Sequence, residues 1–327
     1  MFYIRYLFFI LGSTFLIHQN PKLLKLFFYS LIFSICFLFI DSFIQLLLEK
    51  NIFFIKAYSE ERISSVMGDE AILGRYLAPI SAITLTLYIY KFQIKIFYIF
   101  FIIIISLLVI VISGDRAPFL RYVLFLIGLI LIMPKDKKKY FFSLIIIFSI
   151  ALSFIISIPQ VKFRIISDTY DQITQTTPKF MPYSKHYEEH FLSAYKMGMD
   201  NFIFGQGPNT FEKKCGYEKF IVTFRSCTQH PHNFYWQLFA EKGVIGLSFI
   251  LIFYLYVMFR FFNLIIFSSK EIKKEKSYFF KCSTALMILC FLFPIIPNMS
   301  FYNNWNNIFL YIMISMLLFA WKFFKYK

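Results

Sequence analysis

The chain has 327 residues, of which 59% are hydrophobic, 22% are aromatic and only 16% are charged. A soluble domain of this length has about half of its residues apolar and about a quarter charged, so this composition excludes an ordinary soluble domain and indicates a polytopic membrane protein. The net charge of +16 comes largely from lysines grouped between apolar segments. Lysines in such places set membrane topology, so we expect no nucleic-acid partner.

Nine apolar segments are long enough, or nearly so, to span a membrane. A spanning helix needs about 20 mostly apolar residues. The segments lie near residues 2–17, 24–44, 72–90, 94–113, 117–133, 140–158, 243–266, 279–297 and 305–322. The first also resembles a signal-peptide core, but no small-residue cleavage site follows it, so we interpret it as a spanning helix. The sequence therefore predicts an all-α polytopic integral membrane protein with about nine transmembrane helices.

The stretches between these segments alternate in character. The lysine-rich ones are expected on the cytoplasmic side by the positive-inside rule, and they are His18–Lys25, Lys91–Lys95, Lys135–Lys139, Lys270–Lys281 and Lys322–Lys327. The outward ones hold most of the acidic residues, and they are Glu49–Glu70, Ser113–Arg116, Pro159–Gln229 and Asn298–Asn304. We therefore expect N-terminal transmembrane helices over 1–158, one large outer loop over 159–231 and C-terminal transmembrane helices over 232–327.

The first outer turn with unusual charges is SGDRAPFLR, at Ser113–Arg121. Arg116 is predicted at the membrane surface, and Arg121 lies about 7.5 Å deeper if the segment is helical. The planar guanidinium group binds phosphate well through its fork of donors. Both arginines are therefore candidate phosphate-binding residues. The structural alternatives are an ion pair between Arg116 and Asp115, and an Arg121 side chain that extends to the interface.

Two features of the outer loop are interpreted as scaffold. The stretch NFIFGQGPNTF, at Asn201–Phe211, predicts a tight turn, because it lacks the strand, the helix and the third glycine of a dinucleotide-binding loop. Cys215 and Cys227 lie in the same loop, whereas the other cysteines, Cys36, Cys282 and Cys290, lie in apolar segments. Two cysteines in an outward loop are disulfide candidates, with two free thiols as the alternative.

The loop ends in QHPHNFYWQLFAEKGVIGL, where the chain enters an apolar segment. A helix that begins near Pro231 would place His232 on one face with Trp236, Phe239, Gly243 and Gly246. A neutral histidine at this level can accept a proton from a hydroxyl group, and the alternative is an interfacial anchor.

The residues beside this histidine have their own interpretations. Asn233 is a candidate for binding a sugar, with a simple helix cap as the alternative. Glu241 is interpreted as structural, either pairing with Lys242 or holding the helix end. The glycines of the predicted face would let another helix approach closely.

In this order, these motifs resemble the O-antigen ligase and O-antigen polymerase superfamily of bacterial envelope glycosyltransferases. The resemblance rests on SGDRAP at 113–118, on GQGPNTF at 205–211 and on His-Asn followed by nine residues and two glycines at 232–246. The upstream segment RISSVMGDEAILGRYLAP, at 62–79, also looks like a turn of that family. The resemblance covers roughly residues 60–265.

The resemblance implies that a glycan is transferred from a polyprenyl (undecaprenyl) pyrophosphate carrier to a hydroxyl group. The acceptor would be lipid A-core. The protein would lie in the bacterial inner membrane, with its large loop and active site facing the periplasm. It implies no metal and no nucleotide cofactor. Carried over by motif, His232 would be the catalytic base and Arg116 would hold the diphosphate, while membrane lipids would surround the helices.

One part of the family pattern differs in this chain. Members usually have a second arginine in the loop before the Gly-x-Gly turn, but Ser184–Asn201 reads SKHYEEHFLSAYKMGMDN and contains none. The replacement stays open among five residues, which are Lys185, His186, His190, Arg164 and Arg225. Relatives often have more N-terminal spans, so an incomplete start is a further alternative.

Three other functions compete with the ligase. A polymerase of the same superfamily would join repeat units to one another, and nothing in the sequence identifies the acceptor. A lipid-linked glycan transporter would show two related halves and ionisable residues near the membrane midplane; here no repeat is seen and the polar residues gather on one side. The third is a non-catalytic envelope assembly protein with the same fold.

Overall fold

The computed structural model describes residues 4–92, 95–133, 137–174 and 184–323. Within these ranges the regular secondary structure is helical and no strand is formed. Several predicted stretches lie partly outside the described residues: the apolar segments at 2–17 and 94–113, the lysine-rich stretches Lys91–Lys95 and Lys135–Lys139, the large loop, at 175–183, and the C-terminal stretch, after 323. The helices are α1 Ile4–Gln19, α2 Leu23–Leu48, α3 Leu73–Lys91, α4 Ile96–Ile112, α5 Arg116–Ile132, α6 Lys137–Ser157, α7 Pro159–Lys162, α8 Asp168–Thr174, α9 Lys185–Asp200, α10 Phe211–Lys214, α11 Phe234–Phe267, α12 Lys276–Phe291 and α13 Asn304–Phe323.

A helix is present at each of the nine apolar segments named from the sequence. Among the described residues, four helical stretches are both long and apolar enough to cross a membrane, and they are Leu23–Leu48, Lys138–Ser157, Phe234–Phe267 and Asn304–Lys322. The segment predicted at 279–297 is helical only to Phe291, because prolines at 294 and 297 cannot continue a helix. The chain is thus a helical protein suited to a membrane, and the nine-span topology stays a prediction.

The chain divides into two compact units. Unit 1 comprises Met1–Ile165, Arg260–Phe291 and Ile308–Lys327, and unit 2 comprises Ile166–Phe259 and Leu292–Asn307. The three-part division predicted from topology stays a prediction.

The centre of unit 1 is formed by α3 and α12. Almost every residue of α3 from Leu73 to Ile89 is buried, as is every residue of α12 from Tyr278 to Phe291. A helix that is apolar on all sides belongs in the middle of a bundle. The packing is close, since Tyr90 and Phe280 stack with ring centroids 4.2 Å apart.

A buried polar network fixes the connection after α2 to the end of that helix. The Asp41 carboxylate accepts hydrogen bonds from the Ile52 amide at 2.9 Å and from the Ser65 hydroxyl group. The Gln45 side-chain oxygen accepts hydrogen bonds from the Ser64 and Ser65 amides at 3.1 and 2.6 Å. Buried polar groups are costly unless they are paired. The network therefore holds the connection in one conformation and positions Arg62, which lies just before the buried serines in the sequence.

Unit 2 has a small core of its own between α9, α10 and the start of α11. Its fully buried members are Ala194, Met197, Phe211, Cys215, Phe220 and Ala240. Cys215 is disulfide-bonded to Cys227, with their Cα atoms 5.2 Å apart. Gly198 lies against the Phe239 ring so closely that any side chain would overlap it. This glycine allows α9 to pack directly against the first turns of α11.

Candidate functional site

The turn between α4 and α5 is built around a buried carboxylate. Asp115 forms an ion pair with Arg62 and accepts a hydrogen bond from the Gly74 amide at 3.0 Å. Its side chain is only 3% exposed. The expected alternative, a pair between Asp115 and Arg116, is therefore wrong. The carboxylate joins the turn to the connection after α2, and Arg116 begins α5.

Two further arginine side chains pack over the same turn. Gly114 has a φ of +67°, and a Cβ atom there would lie 3.0 Å from Arg164 Cγ and 3.1 Å from Arg62 Cγ. Positive φ and this crowding together explain why glycine occupies the position. Arg62, Arg116 and Arg164 are thus gathered at one turn of unit 1. Arg225, another residue considered for the missing arginine, lies in unit 2 with its guanidinium group 4.9 Å from the Phe224 ring.

Arg121 lies deeper in unit 1, beside a narrow cleft of about 30 Å³. A second arginine, Arg75 of α3, lines the same cleft, and most of the remaining lining is apolar or aromatic, including Pro79, Phe125, Met287, Phe291 and Met313. An arginine within an apolar helix is costly unless it serves a site. Arg75 was not predicted from the sequence as a site residue. Like Arg121, it is an arginine near the outer end of a predicted span, and this signal could have identified it.

His232 is not part of a helix. Its φ is +54°, in the left-handed region, and α11 begins only at Phe234. The prediction that His232 continues the face of α11 is therefore wrong. The backbone carbonyl of His232 accepts a hydrogen bond from the Asn298 amide at 2.6 Å. A left-handed conformation is unusual for a residue other than glycine, and it is held by its surroundings.

Asn233 is the N-terminal cap of α11. Its side-chain oxygen accepts hydrogen bonds from the Tyr235 and Trp236 amides at 2.9 and 3.3 Å. Its side-chain amide donates to the Pro294 carbonyl at 2.8 Å. The residue is 2% exposed, so these bonds support the cap interpretation.

Three rings surround the imidazole of His232. Its ring centroid lies 4.3 Å from that of His230, 5.5 Å from that of His190 and 5.6 Å from that of Tyr187. Tyr187 and His190 lie one helical turn apart on α9, so tertiary packing brings them to His232. In the described part of the chain, no group of three or more His, Cys, Asp or Glu side chains is arranged to hold a metal ion.

His190 is held in a neutral state with a defined tautomer. Its Nδ1 atom lies 3.1 Å from the Ser226 carbonyl oxygen, and because a carbonyl group only accepts, Nδ1 carries the hydrogen. Burial lowers the pKa of His190, the bond to Ser226 opposes this effect, and the nearby His186 and Glu189 lower and raise the pKa respectively. The Nε2 atom of neutral His190 is then a hydrogen-bond acceptor.

The Gly-x-Gly turn is bound to the start of α11 by Glu241. The two carboxylate oxygens of Glu241 accept hydrogen bonds from the Asn209 amide at 2.8 Å and the Phe211 amide at 3.0 Å. The Glu241 carbonyl accepts another from Gly207 at 3.0 Å. Glu241 is therefore structural, as expected, although it binds backbone amides of the turn and the side chains of Tyr302 and Gln237.

Gly243 interrupts α11 and contacts the same turn. Its φ is +63° and its ψ is −160°, so the helix is kinked there. A side chain at Gly243 would overlap the backbone at Phe202 and Ile203, and the Val244 amide donates to the Phe202 carbonyl at 2.8 Å. The predicted close approach at this glycine is thus made by a loop and not by another helix.

Comparison with known proteins gives one family match. A family model described as O-Antigen ligase matches residues 100–251. No curated protein matches the chain. The matched range includes the arginine-bearing turn at Arg116, the Gly-x-Gly turn and His232. It confirms the resemblance to the O-antigen ligase superfamily, whose members are glycosyltransferase-like enzymes of the ligase or polymerase type.

Proposed function

Since residues 100–251 match the O-antigen ligase family, we propose that this protein is a membrane glycosyltransferase of the ligase type. It moves a glycan from a polyprenyl (undecaprenyl) pyrophosphate carrier to a hydroxyl group of lipid A-core, at the periplasmic face of the bacterial inner membrane. The observation that carries the proposal is His232, held outside α11 beside Tyr187, His190 and His230.

His232 acts as the base in this proposal. It takes the proton of the acceptor hydroxyl group while the hydroxyl oxygen forms a bond to the anomeric carbon of the donor. The bond from that carbon to the phosphate oxygen breaks, and its electron pair leaves with the polyprenyl pyrophosphate. A positioned base contributes typically 10²- to 10⁴-fold to such a step.

The arginines of unit 1 bind the diphosphate in this proposal. Arg116 is the primary diphosphate-binding residue, and Arg164, packed against Gly114 at the same turn, takes the role of the arginine missing from the loop. Arg121 and Arg75 line the deeper cleft and bind the donor closer to its lipid. Fixed positive charges stabilise the negative charge that develops on a departing diphosphate, and the reaction as proposed uses no metal.

Asn233 positions His232 in this proposal and does not bind the sugar. Both ends of its side chain are hydrogen-bonded within the protein. The cap fixes where α11 begins, and this determines where the preceding residue lies.

Glycan transfer in membranes tests the proposal. The assay supplies a polyprenyl-pyrophosphate-linked donor with lipid A-core, and compares wild type with His232→Ala, Arg116→Ala and the control Arg225→Ala. We expect the first two variants to lose transfer by on the order of 10²-fold or more, with normal amounts of folded protein, and the control to retain it. Transfer by His232→Ala at the wild-type rate contradicts the base role.

The polymerase reaction is tested by a second arm of the same assay, in which a second lipid-linked glycan replaces lipid A-core. The family match covers both reactions, so the acceptor that becomes labelled distinguishes them. A wild-type protein that labels neither acceptor rules out the enzyme proposal and favours transport or assembly.

A further inference from the structure

A second cleft, of about 500 Å³, lies in unit 1 at the lysine-rich side of the helices. It is formed by the first half of α2, the end of α3 and the start of α4. It lies at the opposite end of α3 from Arg75, since Arg75 and Tyr88 are separated by thirteen residues, or about 20 Å of helix. The cleft is therefore separate from the arginine sites of the proposed function, and the inference below does not depend on that function.

The walls of this cleft are aromatic near the mouth and apolar further in. The Phe92 ring lies 4.6 Å from the Phe28 ring and 5.8 Å from the Tyr88 ring, measured between centroids. Further along α2 the lining continues through Ile32 to Cys36. From Phe28 to Cys36 the helix rises about 12 Å. This length approaches half of the roughly 30 Å hydrocarbon core of a bilayer, so the cleft suits one acyl chain.

Lysine side chains lie at the mouth. Lys95 lines the cleft, and its backbone amide donates to the Tyr88 hydroxyl group at 3.1 Å. The Lys25 ammonium group lies 5.7 Å from the centre of the Phe92 ring and 6.0 Å from that of Tyr29. No lining residue in the described part of the chain is acidic. Aromatic rings alone would suit a quaternary ammonium group, but two lysines repel such a cation and attract a phosphate.

We propose that this cleft binds one anionic phospholipid. The phosphate of its head group is bound by Lys25 and Lys95, and one acyl chain lies along Phe28, Ile32 and Cys36. Basic pockets between membrane helices on the lysine-rich side are suited to anionic head groups. A zwitterionic phosphatidylcholine gains less, because its choline group is repelled.

Native mass spectrometry of the purified full-length protein tests this proposal. Phosphatidylglycerol or phosphatidylcholine of the same chain length is titrated into the detergent-solubilised protein, and the bound fraction is measured. We expect wild type to retain phosphatidylglycerol in preference to phosphatidylcholine. The double variant Lys25→Gln with Lys95→Gln should bind phosphatidylglycerol on the order of tenfold more weakly. The matched control Lys270→Gln with Lys274→Gln removes two exposed lysines of the same side and should bind normally.

A second variant tests the acyl-chain part separately. Ile32→Trp fills the cleft without changing charge, and it should also lose phosphatidylglycerol. Equal retention of the two lipids by wild type would overturn the proposal. So would normal binding by the double lysine variant, or by Ile32→Trp.

Discussion

Arg62 and Asp115 form an ion pair between two parts of the chain that are 53 residues apart. The pair joins the connection after α2 to the turn that begins α5. Their side chains are 17% and 3% exposed. A buried charge that loses its partner is strongly destabilising, so the pair determines the shape of the turn on which Arg116 lies.

Asp115→Asn should destabilise unit 1 by about 3 kcal/mol, because the Arg62 guanidinium group would keep its partial burial and lose its counter-charge. The measurement is the melting temperature of the purified protein in detergent. Asp69→Asn, which neutralises an exposed carboxylate of the same connection, is the matched control. Equal melting temperatures for the two variants would show that the pair is not important for stability.

Arg164→Ala should raise the donor concentration needed for half-maximal transfer by on the order of tenfold or more, because a charge-assisted hydrogen bond to phosphate is lost. Arg164→Lys should restore only part of the loss, since lysine lacks the planar fork of donors. Steady-state transfer at varied donor concentration measures both. If Arg225→Ala shows the defect and Arg164→Ala does not, the missing arginine is replaced from unit 2 and our assignment is wrong.

The segment around His190 should become less stable as the pH falls. Burial lowers the pKa of His190 in the folded protein, whereas a histidine of the unfolded chain titrates near pH 6.5. The unfolded state therefore binds a proton first. The stability gained by keeping this ring neutral is complete above about pH 6.5 and is lost as the pH falls below that value.

Hydrogen exchange measures this effect. After correction for the intrinsic pH dependence, the amides of residues 222–233 should exchange faster at pH 5 than at pH 7.5. His190→Asn, which can still donate to the Ser226 carbonyl, should weaken the pH dependence. His18→Gln, an exposed histidine of α1, should leave it unchanged. A wild-type protein with equal corrected rates at both pH values would contradict the prediction.

Gly243→Ala should destabilise unit 2 by more than about 2 kcal/mol. The backbone conformation at this residue, with positive φ and ψ of −160°, is essentially restricted to glycine and costs about 1–3 kcal/mol for a residue with a Cβ atom, and that atom would also overlap the backbone at Phe202 and Ile203. Limited proteolysis at residues 202–210 and the melting temperature measure the change. Gly12→Ala is the control, because no atom lies within 4 Å of the added carbon; helix propensity predicts that it stabilises α1 by up to about 1 kcal/mol. Similar effects at the two glycines would contradict the packing described here.

The helices and several local roles could be predicted from the sequence because they depend on nearby residues. Runs of apolar residues specify the helices. An asparagine directly before such a run, as at Asn233, is enough to suggest a helix cap. Glu241 and the Gly-x-Gly turn are both interpreted as structural from the sequence, the turn because it lacks the features of a dinucleotide-binding loop. The exact partner of Glu241 was not predictable, because backbone amides thirty residues earlier carry no sequence signal.

The surroundings of the candidate site residues depend on contacts between distant parts of the chain. Tyr187 and His190 meet His232 only because α9 packs against the start of α11, which requires Gly198 to contact Phe239 directly. The left-handed backbone of His232 likewise depends on the Asn298 amide. Asp115 pairs with Arg62 and not with its neighbour Arg116. This pair also depends on a contact between distant parts of the chain, whereas the sequence suggested a pair between adjacent residues.

The bonds of Glu241 also set an order for biosynthesis. The Asn209 and Phe211 amides leave the ribosome before the carboxylate that binds them. The turn therefore cannot complete its hydrogen bonds until the start of α11 has been made. Closure of the turn is in this way tied to synthesis of the following apolar segment, and a chain arrested before residue 241 would carry an unfinished turn.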